Sequence, residues 1–233
     1  MKNYKDIEQG TIEWLEMRWG KVGGSTSAGL YNDSESLFLD ILSQNLEDFE
    51  IDESYSSRDM ERGKELEPFA LEYLSSYYKV SFLTTGWLQC GKNRLLGISP
   101  DGLSKSETIA CEIKCLGRKA HTNVLLNNEV PDEYIPQIVH YFTINPKLKK
   151  LYFICFRPES PKHFTKVFDR DSLVKIGMKK TTEDRPNPQG KMYSYVVTVP
   201  DVRKISEWST VAREKADILL KRVEASINQL NQI

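Results

Sequence analysis

The sequence lacks a long apolar run. No stretch approaches the roughly 20 consecutive apolar residues that a helix needs to span a bilayer. The first residues, Met1–Asp6, are too polar for a signal peptide. These absences argue against membrane-spanning helices and against export by a cleaved leader. We therefore expect a cytoplasmic protein.

Cysteine and histidine are also scarce. The four cysteines form no CxxC pair, and the three histidines lack the spacing of metal ligands. Reduced, partly buried thiols are the best interpretation, and neither a disulfide framework nor a zinc site is indicated. The residues concerned are Cys90, Cys111, Cys115 and Cys155, with His121, His140 and His163.

The sequence has almost no net charge, because its positive and negative residues nearly balance. The chain has 32 Lys and Arg against 33 Asp and Glu, which gives a net charge of −1 and a sequence pI of about 6.4. This balance counts mildly against a nucleic-acid-binding role, although a local cluster of cations can hold phosphates on an acidic body. With 39% apolar residues over 233 positions, the chain can bury one sizeable core, and we expect a single domain over residues 1–233.

The apolar pattern alternates between helical and extended periods. Together these periods predict an α/β fold with a central mixed sheet flanked by helices. Helices are predicted over 60–78, 132–144 and about 201–231, and strands over 94–98, 107–116 and 149–157.

Local breakers refine this picture. Pro68 either lies in the first turn of its helix or kinks that helix. Residues 44–58 and 181–190 are polar, and the second stretch also holds two prolines and a glycine, so both are interpreted as exposed loops. Neither stretch looks like a domain boundary.

The chemistry is concentrated in the predicted strand TIACEIKCL, residues 108–116. Side chains alternate between the two faces of a strand, so Glu112 and Lys114 share one face, about 7 Å apart. Taken alone, this pattern is most often a solvated ion pair on an edge strand.

Asp101 changes that interpretation. It lies in the turn sequence SPDG, eleven positions before Glu112. A turn that delivers one carboxylate and a strand that delivers a second carboxylate and an ammonium would suit a hard cation such as Mg²⁺. The backbone carbonyl of Ile113 could be a further ligand. Lys114 could then orient an attacking water and stabilise charge that develops on a phosphoryl group.

Further candidates have ordinary alternatives. Glu67 could add a carboxylate, although a Glu near a helix start also suits the helix dipole. Gln137 and Tyr141 share a helix face and could support the site or simply border the core. Arg18 precedes Gly23-Gly24-Ser25, where Ser25 as a helix N-cap would offer N–H groups to an anion; a plain capped loop is the commoner explanation.

Six segments in order resemble the lambda-exonuclease and YqaJ-like viral recombinase family, within the PD-(D/E)xK nuclease superfamily. The resemblance runs from about Trp14 to Arg157. Each segment is weak alone, and the ordered set is fairly specific. The segments are WLEMRWG (14–20), GGS (23–25), GKELEP (63–68), SPDGL (99–103), CEIKC (111–115) and QIVHY (137–141).

The resemblance implies a restriction-endonuclease-like core and roles for the candidate residues. Asp101, Glu112 and the Ile113 carbonyl would hold Mg²⁺, for which Mn²⁺ could substitute, and Lys114 would position the water. The remaining implied roles are assistance at the metal site by Glu67, Gln137 and Tyr141, and a 5′-phosphate pocket formed by Arg18, Ser25 and Ser99.

The resemblance also implies an activity and partners. Lambda-type members degrade one strand of linear duplex DNA from its 5′ end, and a single-strand annealing protein uses the 3′ overhang in phage recombination. They assemble as a ring of three subunits, so a phage or prophage origin and a homotrimer are expected. Residues 158–200 match less clearly and are interpreted as a family-specific insertion.

Two alternatives remain open from the residues. An endonuclease of a mobile element or defence system would have the same core; a Cas4-like nuclease with an iron–sulfur cluster is disfavoured because no cysteine follows Cys155. The other alternative is an inert DNA-binding module. It is disfavoured because Asp101, Glu112 and Lys114 are all present.

Overall fold

The chain folds around a central mixed sheet with helices on both faces, as the sequence predicts. A computed structural model describes residues 1–50, 58–186 and 188–232. The strands are β1 (Lys2–Tyr4), β2 (Phe82–Leu83), β3 (Trp87–Gln89), β4 (Gly97–Ile98), β5 (Gly102–Ser104), β6 (Ile109–Lys114), β7 (Lys150–Cys155), β8 (Phe164–Phe168), β9 (Leu173–Pro186) and β10 (Met192–Lys204). The helices are α1 (Ile12–Arg18), α2 (Ala28–Tyr31), α3 (Glu35–Leu46), α4 (Arg58–Tyr78), α5 (Arg118–Asn127), α6 (Ile135–Ile144) and α7 (Ile205–Leu230), with a 3₁₀ turn at Asp132–Tyr134.

The central sheet has five strands in the order β2-β5-β6-β7-β8. Strands β6 and β7 are parallel, and the other neighbouring pairs are antiparallel. The sequences of β6 and β7 are largely apolar, because a strand in the middle of a layered α/β fold is buried on both faces. The predicted strands over 107–116 and 149–157 are therefore confirmed, each slightly shorter than expected.

Strand β6 separates two hydrophobic clusters. Cys111 and Ile113 pack in one cluster with Ala70 and Leu74 of helix α4. Ala110 packs in the other, larger cluster, which also contains Ile138 and Phe142 of helix α6. The alternation predicted from the sequence thus places α4 on one face of the sheet and α6 on the other.

Helix boundaries follow the predicted periodicity closely. The predicted helix 60–78 is observed as α4, and Pro68 lies inside it rather than in its first turn. The predicted helix 132–144 begins with the 3₁₀ turn and continues as α6. The C-terminal helix starts at Ile205, four residues later than expected, because β10 extends to Lys204.

The second predicted loop is wrong. Residues 181–186 belong to β9, which pairs with β10 in a long antiparallel ribbon. Only the stretch around the turn before Met192 is a connection. The region 158–200, interpreted as an insertion, thus contains β8, which completes the central sheet, and most of the ribbon.

The first predicted loop is only partly correct. Residues 44–46 close helix α3, and Arg58 opens α4; residues 51–57 lie outside the described residues. The strand predicted over 94–98 is reduced to β4 because residues 94–95 form a turn. The N-terminal residues form β1, which pairs with β3 in a small sheet of the order β1-β3-β4.

The four cysteines are free thiols, two of them buried. Among the described residues, no helix is long and apolar enough to cross a membrane.

Candidate active site

Strand β6 presents Glu112 and Lys114 at its carboxyl end. Glu112 is buried, with 2% of its surface exposed. The Lys114 Nζ lies 2.6 Å from Glu112 Oε1, so the two side chains form an ion pair. The same ammonium stands 5.1 Å from the centre of the Tyr134 ring. A buried carboxylate of this kind requires several partners to offset its lost hydration.

Helix α6 supplies two of those partners. Gln137 Nε2 donates to Glu112 Oε1 at 2.7 Å, and Tyr141 Oη donates to Glu112 Oε2 at 2.5 Å. Both donors face the strand because residues four apart share a helix face. The structure therefore brings Gln137 and Tyr141 to Glu112, as expected, and fixes the orientation of its carboxylate.

Asp101 reaches the same place from the turn between β4 and β5. Its Oδ2 accepts the backbone N–H of Ile113 at 2.6 Å. The approach depends on Gly102, because a Cβ there would lie 2.7 Å from the Cys111 Sγ and from Leu71 Cδ1. Gly102 thus allows β5 to lie close to β6 while Asp101 turns onto the end of that strand.

The backbone of Ile113 faces Asp101. The register between β5 and β6 ends with the pair Gly102 and Cys111, so β5 does not extend alongside Ile113. The carbonyl of Lys114 accepts the N–H of Phe156, beyond β7. Because successive residues of a strand point their backbone groups to opposite sides, the carbonyl of Ile113 is directed to the Asp101 side.

Burial and the crowding of carboxylates shift the pKa values of the residues in this cluster. Burial raises the pKa of Asp101 well above its ordinary value, and the nearby Glu112 and Glu67 raise it further. Burial alone would lower the pKa of Lys114, but the carboxylates of Glu112 and Asp101 outweigh burial and raise it. Lys114 is therefore a permanent cation among acids.

Glu67 projects from α4 toward the same cluster. Burial raises the pKa of Glu67, and repulsion from Glu112 adds to the shift. Glu67 and Asp101 line one cavity of about 420 Å³. The remaining lining residues are Thr84, Thr85 and the N-terminal segment 5–9. The site thus opens into a cleft between α4 and this N-terminal segment.

The residues present fit a hard divalent cation. Asp101 and Glu112 supply carboxylate oxygens. Burial first and then the charges of Glu112 and Glu67 raise the pKa of Asp101, and a bound cation would offset both effects. Among the described residues, no group of three or more His, Cys, Asp and Glu side chains forms a ready-made metal cage. Mg²⁺ does not require one, because it keeps several waters and binds through one or two carboxylates and substrate phosphates.

Arg18 and Ser99 are linked through Trp14. The Arg18 guanidinium lies 4.2 Å from the centre of the Trp14 ring, and Trp14 Nε1 donates to Ser99 Oγ at 2.8 Å. A Cβ on Gly23 would lie 3.6 Å from Arg18 Nη2. Arg18, Ser99 and the glycine pair are therefore neighbours.

The glycine pair in turn borders the acidic cluster. A Cβ on Gly24 would meet the Gln137 side chain at 3.0 Å, and Gln137 holds Glu112. Gly24, the neighbour of Ser25 in the sequence, thus lies beside a residue that holds the predicted catalytic Glu112. Ser99 is also only two positions before Asp101.

Ser25 is not a helix N-cap, contrary to expectation. It is exposed in a turn, and the four-residue helix α2 begins at Ala28, after Ser27. The hydroxyl of Ser27 donates to the Gly24 carbonyl, and the Gly23 N–H is bonded to Thr26 Oγ1. These contacts form the turn locally, so any anion contact by Ser25 would come from its own groups rather than from a helix terminus.

Three supporting residues were missed from the sequence. Gln9 Nε2 donates to the carbonyls of Thr85 and Pro100, at 2.7 and 2.8 Å, and so anchors the N-terminal segment beside Asp101. Trp14 holds Ser99, as described above. Arg62 donates through Nε and Nη2 to the Cys115 carbonyl, at 3.0 and 2.9 Å, and so ties α4 to the end of β6. Trp14 lies in the segment WLEMRWG that carries the family resemblance, whereas no motif in the sequence analysis pointed to Gln9 or Arg62.

Comparison with protein families assigns most of the chain to a known domain. A model of the YqaJ-like viral recombinase domain matches residues 13–146, which is more than half of the chain and includes every predicted site residue. No curated protein sequence matches the chain.

Solved structures with a similar fold are exonucleases by description. LHK-Exo in complex with dAMP has a TM-score of 0.72 and 21% identity, with 95% of this chain and 97% of that chain covered. The alkaline exonuclease LHK-Exo from Laribacter hongkongensis, at the same coverage, has a TM-score of 0.67 and 20% identity. A phage-related exonuclease from Haemophilus somnus 129PT has a TM-score of 0.55 and 12% identity, over 90% of this chain and 96% of that chain. At such identities the likeness establishes the fold.

Proposed function

The chain belongs to the YqaJ-like viral recombinase family, and on this premise we propose that it is a metal-dependent nuclease that degrades linear duplex DNA from the 5′ end and leaves 3′ overhangs. The observation that supports this proposal most is the convergence of Asp101, Glu112 and Lys114 at the end of one buried strand. The exonuclease descriptions of the structural neighbours agree with it.

The residues divide the chemistry between them. Asp101, Glu112 and the Ile113 carbonyl would hold Mg²⁺, or Mn²⁺ in its place. Such an ion polarises a phosphoryl oxygen and favours a deprotonated water as nucleophile. Lys114, held by Glu112, would orient that water and stabilise the negative charge that develops on the phosphoryl oxygens. Gln137 and Tyr141 would keep the Glu112 carboxylate in one orientation, and Glu67 would add negative charge from the opposite helix.

Arg18, Ser25 and Ser99 would bind the terminal 5′-phosphate. Guanidinium can bind phosphate through two parallel hydrogen bonds. Because Trp14 contacts both Arg18 and Ser99, this pocket would be held at a constant distance from Asp101. A bound terminal phosphate would then place the first phosphodiester over the catalytic residues, and the benefit would lie in positioning.

The biological assembly we propose is a ring of three subunits that supplies 3′ overhangs to a single-strand annealing protein in phage recombination. The family membership supports this proposal. A net charge of −1 is compatible with it if the cations that contact DNA are gathered along one channel.

One comparison of substrates tests the activity. The protein is incubated in Mg²⁺ with a linear 5′-phosphorylated duplex and, separately, with the same sequence as a closed circle. An exonuclease digests only the linear form. Cleavage of the circle would favour an endonuclease with the same core, and binding of both without cleavage would favour an inert DNA-binding module.

A further inference from the structure

The β9–β10 ribbon exposes apolar side chains on a surface that no described residue of the chain covers. Its strands have 14 and 13 residues, so the ribbon is about 44 Å long. Val196 and Met192 are 72% and 58% exposed, and Met178 is also exposed. In the register of the ribbon these three side chains share one face with Lys180. The base of the ribbon is anchored to the rest of the chain, since Val174 is buried and Trp208 Nε1 donates to the Val174 carbonyl.

Such a ribbon is expected to have a partner. A two-stranded hairpin is at best marginally stable in water by itself. Exposed apolar side chains grouped on one face are typical of a protein interface.

The charges on the ribbon do not favour DNA as that partner. Lys175, Lys179, Arg185, Arg203 and Lys204 each form an ion pair with a carboxylate of the same chain. Cations that are already paired offer little to phosphates.

The outward face of helix α4 has exposed aromatic and acidic side chains, which complement the apolar side chains and the lysine of the ribbon. Phe69 and Tyr77 are 60% and 66% exposed, and Tyr73 stacks against Tyr77 between them. Glu65 and Glu72 are exposed and flank Phe69 at helical spacing. Because Glu67 points the other way, into the cleft, this outward face contains no candidate catalytic residue.

We propose that the ribbon of one copy of this chain packs against the outward face of α4 in a neighbouring copy. Phe69 and Tyr77 are about 12 Å apart along the helix, and Val196 and Met192 are about 13 Å apart along the strand. The apolar pairs can therefore meet in register. With Val196 on Phe69 and Met192 on Tyr77, Lys180 lies about 7 Å beyond Val196. Lys180, which forms no ion pair among the described residues, would then face Glu65.

The two surfaces differ, so the contact is heterologous. A heterologous contact repeats from copy to copy and generates either a closed ring or an open chain. The inference rests on the proposed function only for the expectation that the ring holds three subunits. The contact itself is a statement about assembly and can succeed or fail without the nuclease activity.

The first experiment measures molar mass by light scattering over a wide range of concentrations, for the full chain and for single substitutions. We expect the parent to exceed its monomer mass of 26.9 kDa. Val196→Asp and Phe69→Asp should each raise the dissociation constant by about tenfold or more, because truncating or charging a central apolar contact removes most of its contribution. Val167→Asp is the matched control, since Val167 is an exposed strand valine outside the ribbon.

A charge exchange makes the test specific for these two surfaces. Lys180→Glu and Glu65→Lys should each weaken assembly, and the double variant should recover most of the loss, since each charge again meets its opposite. Circular dichroism and thermal unfolding of every variant verify that the chain is folded.

Three results would overturn the proposal, two of them on molar mass and one on DNA affinity. The first is a parent that stays monomeric at all concentrations. The second is a folded Val196→Asp that assembles like the parent. If Lys180→Glu lowers DNA affinity and leaves the mass unchanged, the ribbon contacts DNA and the proposal is wrong. Cleavage of a short linear duplex, measured in parallel, reports separately on the proposed nuclease activity.

Discussion

Lys114 is held between the Glu112 carboxylate and the Tyr134 ring, and we propose that its ammonium acts on the reacting phosphodiester. We expect Lys114→Ala to reduce the single-turnover cleavage rate by about 10²–10³, the usual cost of losing one group that stabilises developing charge. DNA binding should change little, because one phosphate contact is a small part of the total.

The control for this substitution is Lys105→Ala, which removes an exposed lysine from the turn after β5. Both variants are compared with the parent on a 5′-phosphorylated duplex in Mg²⁺. If Lys114→Ala cleaves at the parental rate, the assignment of the catalytic lysine is wrong.

Glu112 should couple metal binding to stability. A ligand that binds only the folded state stabilises it, by about 2.7 kcal/mol at a hundredfold excess over its dissociation constant. We therefore expect Mg²⁺ to raise the unfolding temperature of the parent, EDTA to reverse the increase, and Glu112→Gln to abolish the response. Thermal unfolding with and without Mg²⁺ measures this directly. Full nuclease activity in excess EDTA would contradict the proposed metal dependence.

Arg18 should distinguish a 5′-phosphate from a 5′-hydroxyl end. Arg18→Ala should slow digestion of a 5′-phosphorylated duplex strongly and of a 5′-hydroxyl duplex much less, because the second substrate never had the contact. The ratio of the two single-turnover rates, at fixed salt, is the quantity to measure. Equal slowing of both substrates would mean that Arg18 only supports Trp14.

At the scale of the element, helix α6 combines two functions. Gln137 and Tyr141 face Glu112, whereas His140, between them in the sequence, is buried with its Nε2 2.9 Å from the Gly97 carbonyl oxygen. Burial lowers the pKa of His140 to about 4. The helix that orients the predicted catalytic carboxylate is therefore anchored by a neutral imidazole.

This anchor predicts a pH dependence of stability. The unfolded chain binds a proton at His140 near pH 6.5, while the folded chain does so only near pH 4, so stability is lost as the pH falls through this interval. The full loss is about 3 kcal/mol at about 1.4 kcal/mol per pKa unit. His140→Gln, which keeps a donor for the Gly97 carbonyl, should flatten this slope. Urea unfolding of both proteins between pH 7 and pH 4.5 measures the difference; parallel curves would contradict it.

The local hydrophobic pattern of the sequence was sufficient to predict the helices and strands that lie within the core. Strand β6 was predicted with its two faces because both faces are buried and their alternation is visible in nine consecutive residues. The ribbon was missed because TTEDRPNPQG has the composition of a loop, and the strand conformation of residues 181–186 depends on pairing with residues up to 16 positions away. β propensity depends on such context.

The residues of the candidate site divide in the same way, into those that local sequence predicts and those that depend on long-range contacts. Asp101, Glu112 and Lys114 could be predicted because their local settings, a turn and a strand, fix their directions. The contact of Gly24 with Gln137, and the bonds from Gln9 and Arg62, join segments far apart in sequence, so no spacing revealed them. Ser25 was placed at a helix start because the pattern Gly-Gly-Ser resembles a cap, but the Ser27 and Thr26 hydroxyls close a turn there instead.

At the scale of the whole molecule, every predicted catalytic residue comes from one chain. A single copy should therefore complete one cleavage, and assembly should matter for staying on the DNA between cleavages. A ring of subunits around a duplex raises the effective concentration of each site near the strand end, an effect that can reach 10²–10⁴. Processivity and first-cleavage rate should respond differently to loss of assembly.

Val196→Asp separates these two quantities. The residue lies on the ribbon, remote from Asp101, Glu112 and Lys114 in the sequence and in a different sheet, so the single-turnover rate of the first cleavage should stay within about twofold of the parent. Processivity is measured in a multiple-cleavage assay in which excess unlabelled competitor DNA is added after binding, so that each dissociation from the labelled strand is irreversible. The parent should continue along its strand, whereas the variant should stop after a few nucleotides. The length of product per binding event is the measured quantity, at a concentration where light scattering shows the parent assembled and the variant dissociated. A dissociated Val196→Asp that retains parental product lengths would show that processivity belongs to the single chain, and the proposed ring would have no role in it.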